Sequence, residues 1–249
     1  MKEGRSNVYF NCNLLKSSLL IMVFLMINST ECVAFDGIDL TDEKAISVPP
    51  EMYIKGNVLY FNGEMINTSY SEFSKLVKNS HISVVSISST GGDARNALDI
   101  AKYIYKHKIN IEVRSICASA CANYLFPAAN KKYLSNDSYL LWHGGIHSPD
   151  KELPIHGNIS RKDFFNLKNI KELKRDDIDF NKMIGVNFKI SFCPQLQDDY
   201  RDKFPEKWFS YSPEDLERFG IKNIHYANTA SQWAITMRKK HVIFASYCN

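Results

Sequence analysis

Three short segments of the sequence carry residue types that could act together in nucleophilic catalysis. Gly91 and Gly92 come after the apolar run "SVVSIS", Ser119 lies among small residues in "ICASACA", and His143 directly follows "YLLW". A serine hydroxyl attacks a carbonyl when an imidazole takes up its proton and backbone N–H groups stabilise the oxyanion. We predict Ser119 as the nucleophile and His143 as the base. The predicted oxyanion donors are the N–H groups of Gly91, Gly92 and Ala120.

The elements that must position these residues form an alternating pattern. A buried strand at 82–88, an amphipathic helix at 97–105 and a strand at 109–116 follow one another within about 30 residues, which predicts a parallel crossover. A helix ended by Pro127 and two further strands, at 131–134 and 138–143, continue the series. Open α/β sheets bind ligands at the carboxyl ends of their strands, where all three segments fall. The predicted fold class is therefore α/β.

The rest of the chain supplies flanking elements. Residues 51–65 alternate apolar and polar side chains around glycine turns, which predicts two short strands. Residues 144–160 contain Pro149 and Pro154, which predict a loop. Beyond it, Ser160 is placed to cap one long helix that ends near Gly185. No linker separates two domains, so we predict a single domain over residues 35–249.

Each candidate residue also has an ordinary structural interpretation. "TGGD" is a common turn composition, Ser119 could serve as a helix cap, and a lone histidine is often a surface residue. A zinc site through His143 and His147 and a nucleophilic cysteine are further hypotheses. The position of all three segments at successive strand ends favours the catalytic interpretation.

The first 34 residues have the pattern of a signal peptide. Lys2, Arg5 and Lys16 precede an apolar stretch from 19 to 27, which is too short to span a bilayer. We predict cleavage near Ala34 and export to the periplasm or the medium; an uncleaved anchor over residues 13–27 is the alternative. Cleavage lowers the formal net charge from +4 to +3. Because the basic residues are scattered, no nucleic-acid partner is predicted.

Four cysteines remain after the leader: Cys117, Cys121, Cys193 and Cys248. In an exported protein they predict disulfides, of which three connectivities are possible. Cys193 with Cys248 is a natural pair. Cys117 and Cys121 could bridge around the serine, although residues four apart on a regular helix have poor disulfide geometry.

The segments "SISSTGGDARNALDIAKYI", "ICASACANYLF" and "LLWHGG", in that order, resemble the Clp protease proteolytic subunit and its relatives in the crotonase-like superfamily. The resemblance covers roughly residues 55–225 and is strongest to exported members whose serine is flanked by cysteines. It implies a fold of stacked β-β-α units with a parallel crossover sheet and a possible homo-oligomer. It also gives Ser119 and His143 the same roles as above, with Gly92 and Ala120, joined by Gly91, as oxyanion donors.

One position departs from the family pattern. The family places an aspartate that orients the histidine just before a segment similar to "FSYSPEDLERFGI", where this sequence has Lys207 or Trp208. Asp202 is the candidate substitute, and Glu206 is the other nearby acid. Without an orienting acid, serine catalysis is weakened by orders of magnitude but is not abolished.

Together these observations predict an exported serine hydrolase that acts on a peptide or a small acyl substrate without a metal or an organic cofactor. Export places the protein away from ATP and from acyl-CoA, so no ATP-driven unfoldase partner is expected. The alternative is a non-catalytic binding or scaffold protein that keeps the fold and a relict site.

Overall fold

A computed structural model describes residues 50–153, 155 and 159–248. The predicted leader and its cleavage site lie outside the described residues. The described residues fall in one compact unit. None of the helices within them has the length and apolar character needed to cross a bilayer.

The main sheet is largely parallel, as the crossover pattern predicted. Its strands run in the order β1-β2-β3-β4-β5-β8, with β6 also paired to β4, and only the β1–β2 pair is antiparallel. A small parallel sheet joins β7 to β9. The strands are β1 Glu51–Lys55, β2 Val58–Asn62, β3 Val84–Ser89, β4 Asn110–Ala118, β5 Lys132–Leu134, β6 Tyr139–Leu141, β7 Ser210–Tyr211, β8 Ile224–Tyr226 and β9 Phe244–Ala245. The prediction of an α/β fold with a parallel crossover sheet is confirmed.

Helices cover the sheet and bury an apolar core. The helix after β3 presents Ala97, Ile100 and Ile104 to the sheet because these residues recur every three to four positions. Fully buried β-branched side chains of β3 and β4 complete the core. The helices are α1 Ser69–Val77, α2 Ala94–Lys106, α3 Phe126–Ala128, α4 Arg161–Asn166, α5 Lys168–Ile184, α6 Tyr200–Lys203, α7 Pro213–Arg218 and α8 Ala230–Lys239.

Strand β4 divides its partners between its two halves. Ile111–Val113 pair with β5, whereas Ile116–Ala118 pair with β6. The same strand pairs with β3 on its other side through an irregular register that ends with Ser89 opposite Cys117. The end of β4 therefore lies between the ends of β3 and β6, which are the three strand ends that the sequence pattern singled out.

The prediction of one long helix from Ser160 to Gly185 is wrong in one respect. Ser160 caps α4 by accepting a hydrogen bond from the Asp163 N–H, and Gly185 ends α5 in the left-handed conformation. Between them, Leu167 leaves the helical region with ψ 136°, which separates α4 from α5. The apolar spacing alone did not reveal this break.

Two disulfides join the four cysteines, so the prediction of disulfides is confirmed and their pairing is resolved. Cys117 bonds to Cys121 with a Cα–Cα distance of 5.3 Å, and Cys193 bonds to Cys248 at 5.9 Å. Cys117 ends a strand and Cys121 begins a π-helix, Cys121–Leu125, so the poor geometry of a regular helix does not apply. The second bridge ties the C-terminal segment to the 3-10 turn Cys193–Leu196.

The two disulfides should differ in their contribution to stability. The Cys193–Cys248 bridge closes a loop with a sequence separation of 55, against 4 for Cys117–Cys121. Replacing Cys193 and Cys248 together with alanine should lower the free energy of unfolding by about 2–4 kcal/mol, more than the matched replacement of the other pair, because a longer closed loop restricts the unfolded chain more. Urea denaturation without reductant measures both values. An equal or larger loss for the Cys117 and Cys121 pair would contradict this order.

Candidate active site

Ser119 occupies a strained turn between β4 and the π-helix. Its φ of 52° lies in the left-handed region, which is uncommon for a residue with a side chain. The Ser119 N–H donates to the Leu141 carbonyl at 3.0 Å, and the Ser119 carbonyl accepts from the Asn123 N–H at 2.8 Å. The Cys117–Cys121 disulfide spans the same turn. These contacts hold the backbone in a conformation that turns the hydroxyl away from the strand.

The pairing that holds Ser119 also brings His143 to it. Ala118 lies opposite Leu141 in the β4–β6 ladder, so His143 follows two residues beyond the contact with Ser119. Trp142 is fixed by two backbone hydrogen bonds with Phe209, and the His143 carbonyl accepts a hydrogen bond from Gln195 Nε2 at 2.8 Å. The imidazole Nε2 lies 2.7 Å from Ser119 Oγ. The structure thus brings the predicted nucleophile and base into hydrogen-bond contact.

Both side chains line one pocket of about 200 Å³. Small and apolar residues form much of its wall, including Ala94, Ile146, Leu153 and Leu173. Gly92 and Ala120 border the same pocket, next to Ser119 and His143. The arrangement therefore has space for a substrate carbonyl beside the hydroxyl.

Gly92 is suited to donate a hydrogen bond into this pocket. Met65 N–H bonds to the Gly91 carbonyl and Asp93 N–H bonds to the Met65 carbonyl, which forms a short parallel bridge on one side of Gly92. Because backbone groups alternate along a bridge, the N–H of Gly92 itself points away from Met65. Ala120 begins the helical turn after Ser119, where an N–H has no acceptor within the helix.

Gly91, unlike Gly92, contacts the Ser119 turn and does not border the pocket. Its N–H donates to Ser89 Oγ at 3.2 Å, and it is not among the described residues that line the pocket. Its backbone instead packs against the Ser119 turn, so that a Cβ there would lie 2.7 Å from Ser119 Cβ. Of the three predicted oxyanion donors, Gly92 and Ala120 border the pocket, whereas Gly91 supports the Ser119 turn.

The surroundings of His143 favour the neutral imidazole. Desolvation by the surrounding protein, and secondly the positive charge of Lys207, lower the pKa of His143 from its ordinary value to about 4. The ring also packs against the indole of Trp208, with ring centroids 4.3 Å apart. Above pH 4 the imidazole is neutral and can accept a proton. Its low pKa makes it a weak base, because a general base works best with a pKa near the working pH.

The structure does not bring Asp202 to His143. Asp202 is exposed on α6, and no described carboxylate contacts the imidazole. The two positions that the resemblance aligned with the orienting aspartate are the ones near the ring: Trp208 packs against it at a tilt of 42°, and the charge of Lys207 lowers its pKa. Packing on Trp208 and the backbone contact of Gln195 therefore restrain His143, in place of an acid.

Several polar residues near the site were not predicted as site residues. Asn123 Nδ2 donates to the Gly144 carbonyl at 3.0 Å and Gln195 binds the His143 carbonyl, while Asn123 Oδ1 and Gln195 Oε1 are buried without a described partner. The spacing of four residues between Ser119 and Asn123 could have placed both on one helical face. Gln195 gives no such signal, because it is 52 residues from its partner.

His147 is directed away from the Ser119–His143 pair. Its Nε2 lies 3.3 Å from Asp177 Oδ2 and 3.2 Å from the Lys174 carbonyl, both on α5. Burial, and secondly the carboxylate of Asp177, raise the pKa of the Tyr124 hydroxyl. No group of three metal-ligating side chains occurs within the described parts of the chain. His147 thus ties the loop after His143 to α5.

No family model matches the sequence, and no curated protein is significantly similar to it. Solved structures do match. A mutant ClpP1 from Listeria monocytogenes is similar over 72% of this chain and 95% of its own, with 17% identity and a TM-score of 0.44. A mutant of 1510-N, a membrane-bound stomatin-specific protease, is similar over 74% of this chain and 86% of its own, with 16% identity and a TM-score of 0.41. At such identities a shared fold does not establish a shared activity.

Substitution of Gly92 should disrupt the site without a general loss of structure. A Cβ at Gly92 would lie 2.2 Å from the Met65 carbonyl oxygen at a φ of 118°, so Gly92→Ala must displace the bridge and its N–H. Gly56→Ala is the matched control, because Gly56 also has a positive φ, of 62°, but nothing lies within 4 Å of its Cβ position. We expect Gly92→Ala to slow the reaction of Ser119 with a fluorophosphonate at least tenfold, and Gly56→Ala to leave the rate unchanged. Equal rates in both variants would contradict the assignment of Gly92.

The pKa of His143 should rise when the charge at position 207 is changed. Removing a positive charge stabilises the imidazolium, so Lys207→Ala should raise this pKa from about 4, and Lys207→Asp should raise it further. Imidazole NMR signals followed from pH 3 to pH 8 measure it directly. Lys203→Ala is the control, since Lys203 pairs with Asp199 and does not affect the ring. A wild-type pKa close to 6.5 would contradict the described environment.

Proposed function

We propose that the protein is an exported serine hydrolase that cleaves peptide bonds, with Ser119 as nucleophile and His143 as general base. The observation that supports this most strongly is the 2.7 Å contact between Ser119 Oγ and His143 Nε2 at a strained turn. Strained residues in accessible pockets are common at catalytic sites. The pocket, and the N–H groups of Gly92 and Ala120 at its border, add the space and the donors that acyl transfer needs.

The proposed reaction follows from these positions. Ser119 Oγ attacks the substrate carbonyl carbon while its proton moves to His143 Nε2. The oxyanion that forms is held by the N–H groups of Gly92 and Ala120. The C–N bond then breaks as His143 returns the proton to the leaving amine, and water releases the acyl group by the same route in reverse.

Because no described carboxylate lies beside His143, we expect a low rate of catalysis. In serine hydrolases an acid partner orients the imidazole and stabilises its protonated form, and its loss costs about four orders of magnitude. Here the ring is oriented by Trp208 and disfavoured in its protonated form by Lys207. We therefore propose a slow hydrolase that acts on a restricted set of substrates.

A non-catalytic binding or scaffold protein is the second candidate. The observation that favours it is the same environment of His143, since a pKa of about 4 weakens the base. In this case the pocket would bind a peptide without cleaving it. Both proposals include export, which the leader pattern of the first 34 residues predicts. Assembly into a homo-oligomer stays a prediction of the sequence resemblance.

Covalent labelling separates the two candidates. A fluorophosphonate should label the wild-type protein, Ser119→Ala should abolish labelling, and His143→Ala should slow it roughly 100-fold or more, because general-base assistance typically contributes 10²–10⁴. Ser71→Ala, which changes an exposed serine on α1, should label like the wild type. Mass spectrometry locates the adduct.

Two results would count against hydrolysis. Labelling that persists in Ser119→Ala would place the reactive group elsewhere. A folded wild-type protein that resists the probe would favour the scaffold candidate.

A further inference from the structure

The pocket that holds Ser119 and His143 also contains an acidic side chain that the proposed reaction does not use. Glu152 is the one carboxylate among the described residues that line it. Its side chain is only 3% exposed, although glutamate is rarely buried without a partner. A carboxylate in this position needs a cation or several hydrogen-bond donors to offset the loss of water.

A single exposed arginine partly satisfies this need. Arg201 Nε lies 3.1 Å from Glu152 Oε1, while Arg201 Nη2 donates to the Lys151 carbonyl at 3.0 Å. The pair is therefore monodentate, and no described residue donates a hydrogen bond to Oε2. Arg201 is 64% exposed, so water competes for its charge. As far as the described residues show, Oε2 can therefore accept a hydrogen bond from a group that enters the pocket.

Glu152 is not a substitute for the orienting aspartate. The charged group that acts on His143 is Lys207, and Glu152 makes no described contact with the imidazole. Glu152 follows a turn in which its own N–H donates to the Pro149 carbonyl at 2.8 Å. It contributes to the wall of the pocket, where it can contact a substrate side chain.

We propose that Glu152 is a specificity-determining residue that selects peptides carrying an ammonium or guanidinium group near the bond held at Ser119. This inference rests on the proposed function only in taking the pocket as the peptide-binding site. A cation that enters it loses water and meets a carboxylate whose Oε2 receives no hydrogen bond from a described residue. Charge-assisted hydrogen bonds are about twice as strong as neutral ones, and a partly desolvated site increases the difference. The otherwise small and apolar wall accommodates the methylene chain of lysine or arginine.

Binding to the Ser119→Ala variant tests this proposal independently of cleavage. The probes are blocked alanine pentapeptides with lysine, arginine or norleucine at the central position, and an unblocked alanine pentapeptide. Calorimetric titration should show the lysine or arginine peptide binding roughly tenfold more tightly than the norleucine peptide. Tighter binding of the unblocked alanine peptide than of its blocked form would show that the cation bound in the pocket is the N-terminal ammonium of the peptide.

The matched variants separate specificity from structural support. Adding Glu152→Gln to Ser119→Ala should remove the preference for the cation while leaving the affinity for the norleucine peptide unchanged. Glu172→Gln, at an exposed glutamate on α5, should keep the preference. Arg201→Met frees the other carboxylate oxygen and should increase the preference.

Two results would overturn the proposal. One is equal affinity of Ser119→Ala for the lysine, arginine and norleucine peptides together with no tighter binding of the unblocked alanine peptide than of its blocked form. The other is an equal loss of affinity for both peptides in Glu152→Gln and in Arg201→Met, which would make the Glu152–Arg201 pair a structural support. Absence of fluorophosphonate labelling would instead count against hydrolysis and leave this preference unaffected.

Discussion

The left-handed backbone at Ser119 is the constraint on which the candidate site depends. Such a conformation costs about 1–3 kcal/mol for a residue with a side chain, and it persists only when the surroundings fix it. Here β6 fixes it through the Leu141 carbonyl, the π-helix through the Asn123 N–H, and the disulfide through Cys117 and Cys121. The same β6 pairing delivers His143, so one set of backbone contacts sets both the direction of the hydroxyl and the position of its base.

Much of this architecture was predictable from local features of the sequence. Gly92 can adopt its positive φ because it lacks a side chain, and the small residues around Ser119 permit a tight turn. The apolar run that ends at His143 predicted a strand end there. Each of these signals lies within a few residues of the position it describes. The fold class and the pairing of Ser119 with His143 follow because parallel strands collect their carboxyl ends at one edge of the sheet.

Features that depend on distant contacts were not predictable in the same way. Gln195 donates to the His143 carbonyl from 52 residues away, and Arg201 pairs with Glu152 from 49 residues away.

Some local features were also missed. The break at Leu167 is a local backbone change that leaves the apolar pattern intact. Asp202 was proposed because it is near in sequence to the aligned position, but the chain directs Trp208 to the ring and leaves Asp202 in solvent. Nearness in sequence did not determine which side chain packs against His143.

The electrostatic environment differs between two parts of the pocket, one around His143 and one around Glu152. Around His143 the environment opposes positive charge, through burial and Lys207, and this limits the strength of the base. Around Glu152 it favours positive charge, since one exposed arginine only partly offsets the charge of a buried carboxylate. A slow reaction combined with selection of a cationic substrate accounts for both regions, whereas a binding protein without catalysis accounts for the second region alone.

The most direct test of the account is a crystal structure of the protein treated with a peptide boronic acid, which forms a tetrahedral adduct with a reactive serine. We predict continuous density from Ser119 Oγ to boron, with one boronate oxygen within hydrogen-bond distance of the Gly92 and Ala120 N–H groups. An unmodified Ser119, or an adduct whose oxygens face away from both N–H groups, would contradict the account.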